Sequence, residues 1–301
     1  MALNSPRKEY IARWFDVGFK YWALIPLFII LLLFTVYPFA ELLRMSVSTL
    51  SLSGGRFIWA YSGLANLYKV LADKIFIIAL KNTLIFVIAT VGLELILGLG
   101  LALVANTVKR MANFYRAILI LPILVPPIAI STVWRLMYNP NFGLINALLQ
   151  RMALPGQTWL SDIRLAMVAV IAVDVWHWTS YVFLILLAGL QALPSEPFEA
   201  AKVDGASDLH AFLYVTLPLL KPTIAVAVMF RTLYAFKVFD EIFLLTSGGP
   251  GTATEVTSTY IYRVFFNQYQ MGYGAFLSIL VIAVVMMFIL TYQRMLRREG
   301  V

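Results

Sequence analysis

Six apolar runs, each about as long as a lipid bilayer is thick, leave this chain few folds to choose from. They cover approximately 22–43, 76–104, 115–137, 165–190, 222–245 and 272–293. A helix rises about 1.5 Å per residue, so roughly 20 apolar residues cross the hydrocarbon core. In lipid every backbone polar group needs a partner within the protein, which makes helices of such runs. Composition agrees, with 61% of the 301 residues hydrophobic and 13% charged, where soluble domains carry about 25% charged. Mean hydropathy is +0.86. The expected fold is an all-α integral membrane protein, with six transmembrane helices in a domain over 21–293 between tails at 1–20 and 294–301. Pro26 and Pro38 in the first run, and Pro122, Pro126 and Pro127 in the third, mark kinks. Tyr10, Trp14 and Phe15 suggest a short amphipathic helix ahead of the first run. That run is too long for a signal peptide and no Ala-x-Ala site closes it, so it reads as a retained span.

The basic residues orient the chain. The N-terminal tail, Lys109, Arg110, Arg116, Lys202, Lys221, Arg294, Arg297 and Arg298 sit in short segments beside the runs, where the positive-inside rule applies best. Both termini, 105–114 and 191–221 are therefore expected in the cytoplasm, and 44–75, 138–164 and 246–271 outside. The outer segments carry turn chemistry at Ser53-Gly54-Gly55, Asn139-Pro140-Asn141 and Ser247-Gly248-Gly249-Pro250-Gly251. Trp59, Tyr61, Trp134, Tyr138, Trp159 and Tyr260 fall near the ends of runs, as an interfacial aromatic belt would.

Several functions are excluded. With no cysteine there is no disulfide framework, thiol catalysis or thiolate metal site. No lysine is followed by Ser or Thr, so no phosphate-cradling loop of the Gly-x-x-x-x-Gly-Lys-Ser/Thr kind exists. The two histidines form no His-Glu-x-x-His, and no metal site is expected. The net charge of +8 belongs to cytoplasmic segments, and no basic, aromatic-rich patch points to nucleic acid.

One polar interruption stands out. Glu199 to Pro222 reads EAAKVDGASDLHAFLYVTLPLLKP. Ser195 can cap a helix with Glu196 and Glu199 at its positive end. Gly205 can close that helix, and Ser207 or Asp208 can open the next. Small alanines allow close approach of a partner, with Phe198, Val203, Leu209 and Phe212 as anchors. The residues alone fit a docking element and an ordinary interfacial helix equally.

The pattern Glu199-Ala200-Ala201-x-x-Asp204-Gly205-Ala206, followed by Phe212 and Leu217-Pro218, resembles the EAA motif of ABC-importer permease subunits. It lies before the penultimate run, as in that family. The similarity extends to carbohydrate-importer permeases of the maltose, trehalose and glycerol-phosphate kind. Leu80-Lys81-Asn82-Thr83, Phe142-Gly143-Leu144-Ile145-Asn146, Trp159-Leu160, Ala188-Gly189-Leu190-Gln191, Phe239-Asp240 and Leu245 to Gly251 carry it. The chain looks like the first of two permease partners, in a six-span version. The resemblance implies a type I ABC importer permease fold and transport of a sugar or sugar derivative by alternating access. It implies a second, similar permease, two ATPase subunits and an extracytoplasmic solute-binding protein as partners, in the cytoplasmic membrane of a bacterium or archaeon. ATP and Mg would be bound by the ATPases, leaving this chain no cofactor and no catalysis. Glu199, Ala200, Ala201, Asp204, Gly205 and Ala206 would couple to an ATPase within the segment 191–221.

Charges inside membrane runs are costly and tend to face a cavity. The candidates are Glu94, Asp174, Arg231, Lys237, Asp240 and Glu241. Asp174, Trp176, His177, Trp178, Tyr181, Arg231 and Asp240 are the expected substrate path. At helical spacing Asp174 shares a face with Trp178, and His177 with Tyr181, while Trp176 and Trp178 diverge. An Asp174–Arg231 structural pair is the plainer alternative. A motor-independent secondary transporter or channel is the alternative function. It would need a coupling carboxylate such as Glu94 or Asp174, and usually two related halves, of which the sequence shows no sign.

Overall fold

The computed structural model describes residue 19 and residues 21–53, 56–108 and 112–298. Residues 1–18 and 20 of the expected N-terminal tail, with its amphipathic helix, lie outside them, as do Gly54 and Gly55 of the expected outer turn, Lys109, Arg110 and residues 299–301. Helix α1 (Ile25–Ser46) is followed by strands β1 (Ser48–Ser53) and β2 (Arg56–Tyr61) and then by α2 (Ala65–Ala72), α3 (Lys74–Thr107), α4 (Ala112–Leu124) and α5 (Pro127–Met137). Next come α6 (Leu144–Arg151), α7 (Leu165–Gln191), α8 (Glu196–Val203), α9 (Asp208–Phe236), α10 (Asp240–Leu245), α11 (Thr257–Tyr262) and α12 (Met271–Arg298). Five of these, α1, α3, α7, α9 and α12, are long and apolar enough to cross a membrane, and the α4–α5 pair makes a sixth candidate.

Three expectations need correction. The third run is a broken pair rather than a kinked helix, bent by 94° between Leu124 and Pro127. Pro126 precedes another proline, which bars it from the helical region, and it adopts φ −59°, ψ 142°. The fifth run does not continue to 245. Helix α9 starts earlier, at Asp208, and ends at Phe236; Asp240 opens the separate α10. The helices are also joined by an antiparallel hairpin, β1 with β2, inside the segment expected to be only an outer loop. The Thr-Leu-Ser-Leu-Ser alternation of 49–53 is its period-two signature.

Prolines shape two helices without breaking them. Leu32–Val36 and Phe212–Thr216 are π turns, each ending two residues before a proline, Pro38 and Pro218. A proline lacks the N–H and crowds the carbonyl four residues back, and a widened turn accommodates both.

The chain forms two compact units, Met1–Lys69 with Val264–Ile279, and Val70–Arg263 with Leu280–Val301. In the first, Asn66 Nδ2 donates to the Ser46 carbonyl at 2.7 Å. Lys69 Nζ lies 4.3 Å from the ring centre of Tyr273. Gly272 passes so close to the Ser48 carbonyl oxygen that an added Cβ would lie 1.9 Å from it.

The second unit is built on α3 packed against α7. Asp73 caps α3, accepting from the backbone N–H groups of Ile75 and Phe76 at 3.1 and 3.0 Å. The buried side of α7 runs through Val170, Val173, Phe183 and Leu186. Close helix approach depends on Gly98, where an added Cβ would meet Val182 Cγ1 at 2.9 Å and the Phe183 backbone nitrogen at 3.1 Å. Gly98→Leu is expected to force α3 from α7 and cost about 1–3 kcal/mol, read as a lower unfolding temperature of the solubilised protein.

The loops of this unit are tied by single amides. Asn82 Nδ2 donates to the carbonyls of Thr252 and Glu255, both at 2.9 Å. Asn146 holds its loop through Gln157 and through Trp159 Nε1 at 2.9 Å. Two residues of the expected aromatic belt belong to the buried interior instead. Tyr138 donates to the Ala169 carbonyl at 3.1 Å and Tyr260 to Asp73 Oδ2 at 2.6 Å, because a phenol can bury its ring when its hydroxyl finds an acceptor.

Candidate functional site

Two places in the second unit hold the residues singled out by sequence. The first is the turn between α8 and α9. Helix α8 carries Glu196 and Glu199 in its first turn and Lys202 in its last, matching the helix dipole at both ends. The Ala206 N–H donates to the Ala201 carbonyl at 2.9 Å and the Gly205 N–H to the Lys202 carbonyl at 3.1 Å. That double bond pattern is a Schellman cap, and it needs a left-handed residue after the helix. Gly205 supplies it with φ +74°. An added Cβ on Gly205 would meet nothing within 4 Å, so the turn points into open space. Ser207 Oγ then accepts from the His210 N–H at 3.3 Å and opens α9.

Parts of the sequence reading change here. Ser195 occupies the N-cap of α8, but its side chain makes no capping bond. Asp204 is the C-cap by its backbone, and its carboxylate has no partner among the described residues. Of the four expected anchors, Val203 and Leu209 are exposed, while Phe198 and Phe212 are half-buried.

The second place lies between α5, α7, α9 and α10, around a cavity of about 150 Å³. Asp174, Trp178, Arg231, Tyr234, Lys237 and Asp240 line it. Arg231 is fully buried and uses its planar fork on two carboxylates. Its Nε and Nη2 grip Glu94, with Nη2 to Oε1 at 2.9 Å, and Nη2 also bonds Asp174 Oδ2. Glu94 and Asp174 are buried as well. Trp178 stacks on Tyr234 with centroids 5.1 Å apart, and the Arg231 guanidinium sits 5.0 Å above the Trp178 ring. Lys237 Nζ lies 4.6 Å from the Tyr234 centroid. Burial, then the neighbouring Glu241, raises the Asp240 carboxyl above its ordinary value.

The fold thus brings Asp174, Trp178, Arg231 and Asp240 to one cavity, with Tyr181 behind them against Trp178 at 5.9 Å. His177 and Trp176 do not line it. His177 is buried and turned toward Glu241, Nδ1 to Oε1 at 3.6 Å. Trp176 is 46% exposed and packs edge-on to Trp134 at 5.7 Å. It lines a separate apolar groove of about 980 Å³ with Leu93 and Val168. Trp176, two positions from Asp174, lies about 200° around the helix and leaves its face, while His177 is drawn aside by Glu241. The Asp174–Arg231 pair is real, but it is half of a three-residue network. Sequence reasoning left Glu94 and Tyr234 out of the site. Tyr234 sits three residues after Arg231 on one helical face, which was a usable signal. Nothing in the sequence paired Glu94 with a residue 137 positions away.

A polytopic helical protein with a buried ion network beside an aromatic cavity, and a capped turn facing open space, has the makings of a transport subunit. The profile of the family described as "binding-protein-dependent transport system inner membrane component" matches residues 96–298, and the chain belongs to that family. It is 35% identical over 290 residues to the sulfoquinovosyl glycerol transport system permease protein SmoG of Agrobacterium fabrum, covering 95% of this chain and 94% of that protein. It is 40% identical over 234 residues to the trehalose/maltose transport system permease protein MalF of Thermococcus litoralis, covering 78% and 79%. The fold matches the structure of a bacterial ABC transporter involved in import of the acidic polysaccharide alginate, with TM-score 0.83, 24% identity and coverage of 96% and 99%. The chain is therefore a multi-pass permease subunit with the type I ABC importer fold.

Proposed function

We propose that this chain is one of two membrane subunits of an ATP-driven, binding-protein-dependent importer for a sugar or sugar derivative. The printed substrates of its relatives, sulfoquinovosyl glycerol and trehalose/maltose, supply the solute class. The ATPases are separate chains, and this subunit performs no chemistry and holds no cofactor. Both termini and the α8–α9 turn face the cytoplasm, and the outer loops receive the solute-binding protein.

The observation that carries the coupling role is the Schellman-capped turn at Gly205, closed on its own side and open on the other. A short helix closed by this cap, with small residues at Ala200, Ala201 and Ala206, transmits displacement from an ATPase into α9 through the turn at 204–207. The cavity at Asp174, Trp178, Arg231 and Asp240 is this subunit's share of the solute path. Its stacked aromatic faces suit a sugar ring, and its carboxylates accept hydroxyl hydrogen bonds.

The absence of native cysteine allows a direct test. Ala201→Cys in the full complex is expected to cross-link through a short bifunctional maleimide to a cysteine placed on the ATPase face, and Leu144→Cys is not. Equal yields at the two positions, or none at Ala201, would overturn the coupling assignment. In a separate measurement, Trp178→Ala is expected to lower uptake at least about tenfold while leaving basal ATP hydrolysis within about twofold, as loss of a buried aromatic contact in a recognition site does.

A further inference from the structure

Resting on the reading of the Arg231 cavity as part of the solute path, we infer that this cavity takes neutral or amine-bearing sugars and rejects sugar acids and sugar phosphates. A buried arginine in a solute path is ordinarily the attraction for an anion. Here the guanidinium is already committed. Glu94 takes its Nε and Nη2 and Asp174 takes Nη2 again, so two carboxylates face one cation.

The rest of the surroundings do not restore the balance. Glu241 faces only His177 among the described ion pairs, at 3.6 Å. Asp240 lines the cavity and forms no ion pair among the described residues. Lys237 is the second cation, with its amine over the Tyr234 ring. Glu94, Asp174, Asp240 and Glu241 set against Arg231 and Lys237 leave a surplus of acidic over basic groups around the cavity. The ring faces of Trp178 and Tyr234 carry the negative side of their quadrupoles. At contact distance and an intermediate dielectric, a like charge added to such a surplus loses at least about tenfold in affinity. A neutral polyol meets acceptors for its hydroxyls, and an amine meets carboxylates as well.

The test measures binding to the membrane domain itself, because a solute-binding protein imposes its own preference. The complete importer without its binding protein, in lipid nanodiscs, is titrated with glucose, glucosamine and glucuronate. Binding is read by saturation-transfer NMR, in nucleotide-free and nucleotide-trapped preparations. The expected result is a Trp178-dependent signal for glucose and glucosamine, with glucuronate at least about tenfold weaker. Asp240→Asn should narrow that gap by strengthening glucuronate. Glucuronate binding as well as glucose, or binding better and losing its advantage in Lys237→Gln, would overturn the charge selectivity while leaving the cavity as a solute site. No sugar giving a signal that Trp178→Ala removes would overturn the cavity as a solute site, and the selectivity with it.

Discussion

Gly205→Asp is expected to abolish solute uptake and solute-stimulated ATP hydrolysis while the complex still assembles in the membrane at normal abundance. The two parts of that result have separate causes. Within the chain the substitution is cheap. The residue sits at φ +74°, where a non-glycine residue costs about 1–2 kcal/mol and Asp is among the better tolerated. No atom of the chain lies within 4 Å of the new Cβ, so nothing internal is displaced. Outward, the carboxylate projects from the apex of a turn that a partner must approach closely, beside the existing charge of Asp204. Gly205→Asn separates the two effects, since Asn shares the backbone tolerance and the bulk without the charge. It is expected to keep assembly and to recover at most part of the uptake. Normal uptake by Gly205→Asp would sink the coupling role of this turn. Loss of the whole complex from the membrane would place Gly205 in folding instead.

Arg231→Met is expected to cost about 3–5 kcal/mol, the usual consequence of leaving buried charges without their partner. Two carboxylates, Glu94 and Asp174, share this one guanidinium in a site with no exposure to offset the loss. The unfolding temperature of the solubilised protein, followed by size-exclusion chromatography, should fall sharply. Arg231→Lys should recover little, because an ammonium cannot span Glu94 and Asp174 with the geometry of a fork. The triple variant Arg231→Met, Glu94→Gln, Asp174→Asn should recover most of the stability, since removing all the charge together leaves no uncompensated ion. If Arg231→Met alone kept the wild-type unfolding temperature, the network would not be holding α3, α7 and α9 together.

Much of the architecture was legible because lipid simplifies the code. Length and apolarity mark a span wherever it packs, so all six runs correspond to crossing candidates. The capped turn at Gly205 was legible as well. Its cap depends on a glycine and on bonds between residues a few positions apart, and Ser207, Gly205 and the acidic first turn all appear in order in the sequence. The failures share the opposite character. The run from 222 to 245 was read as one span on its overall apolarity, although Lys237, Asp240 and Glu241 cluster where the helix ends at Phe236 and the next begins. The three prolines of the third run announced a bend, but the Pro126-Pro127 pair made it a 94° turn. Tyr138 and Tyr260 read as interfacial aromatics until the fold supplied the Ala169 carbonyl and Asp73 as buried acceptors.

The sequence by itself therefore determined that the chain is a helical membrane protein with six crossing candidates and a capped polar turn before the penultimate one. These follow from local composition, helix periodicity and capping, while the permease class rests on resemblance to a family. Only the tertiary structure decided what Arg231 does. Its two partners come from α3 and α7, distant in sequence, and their joint burial makes a candidate substrate-path residue the centre of a three-residue ion network. Charge balance at a buried site is a sum over neighbours in space, and no reading along the chain can carry out that sum.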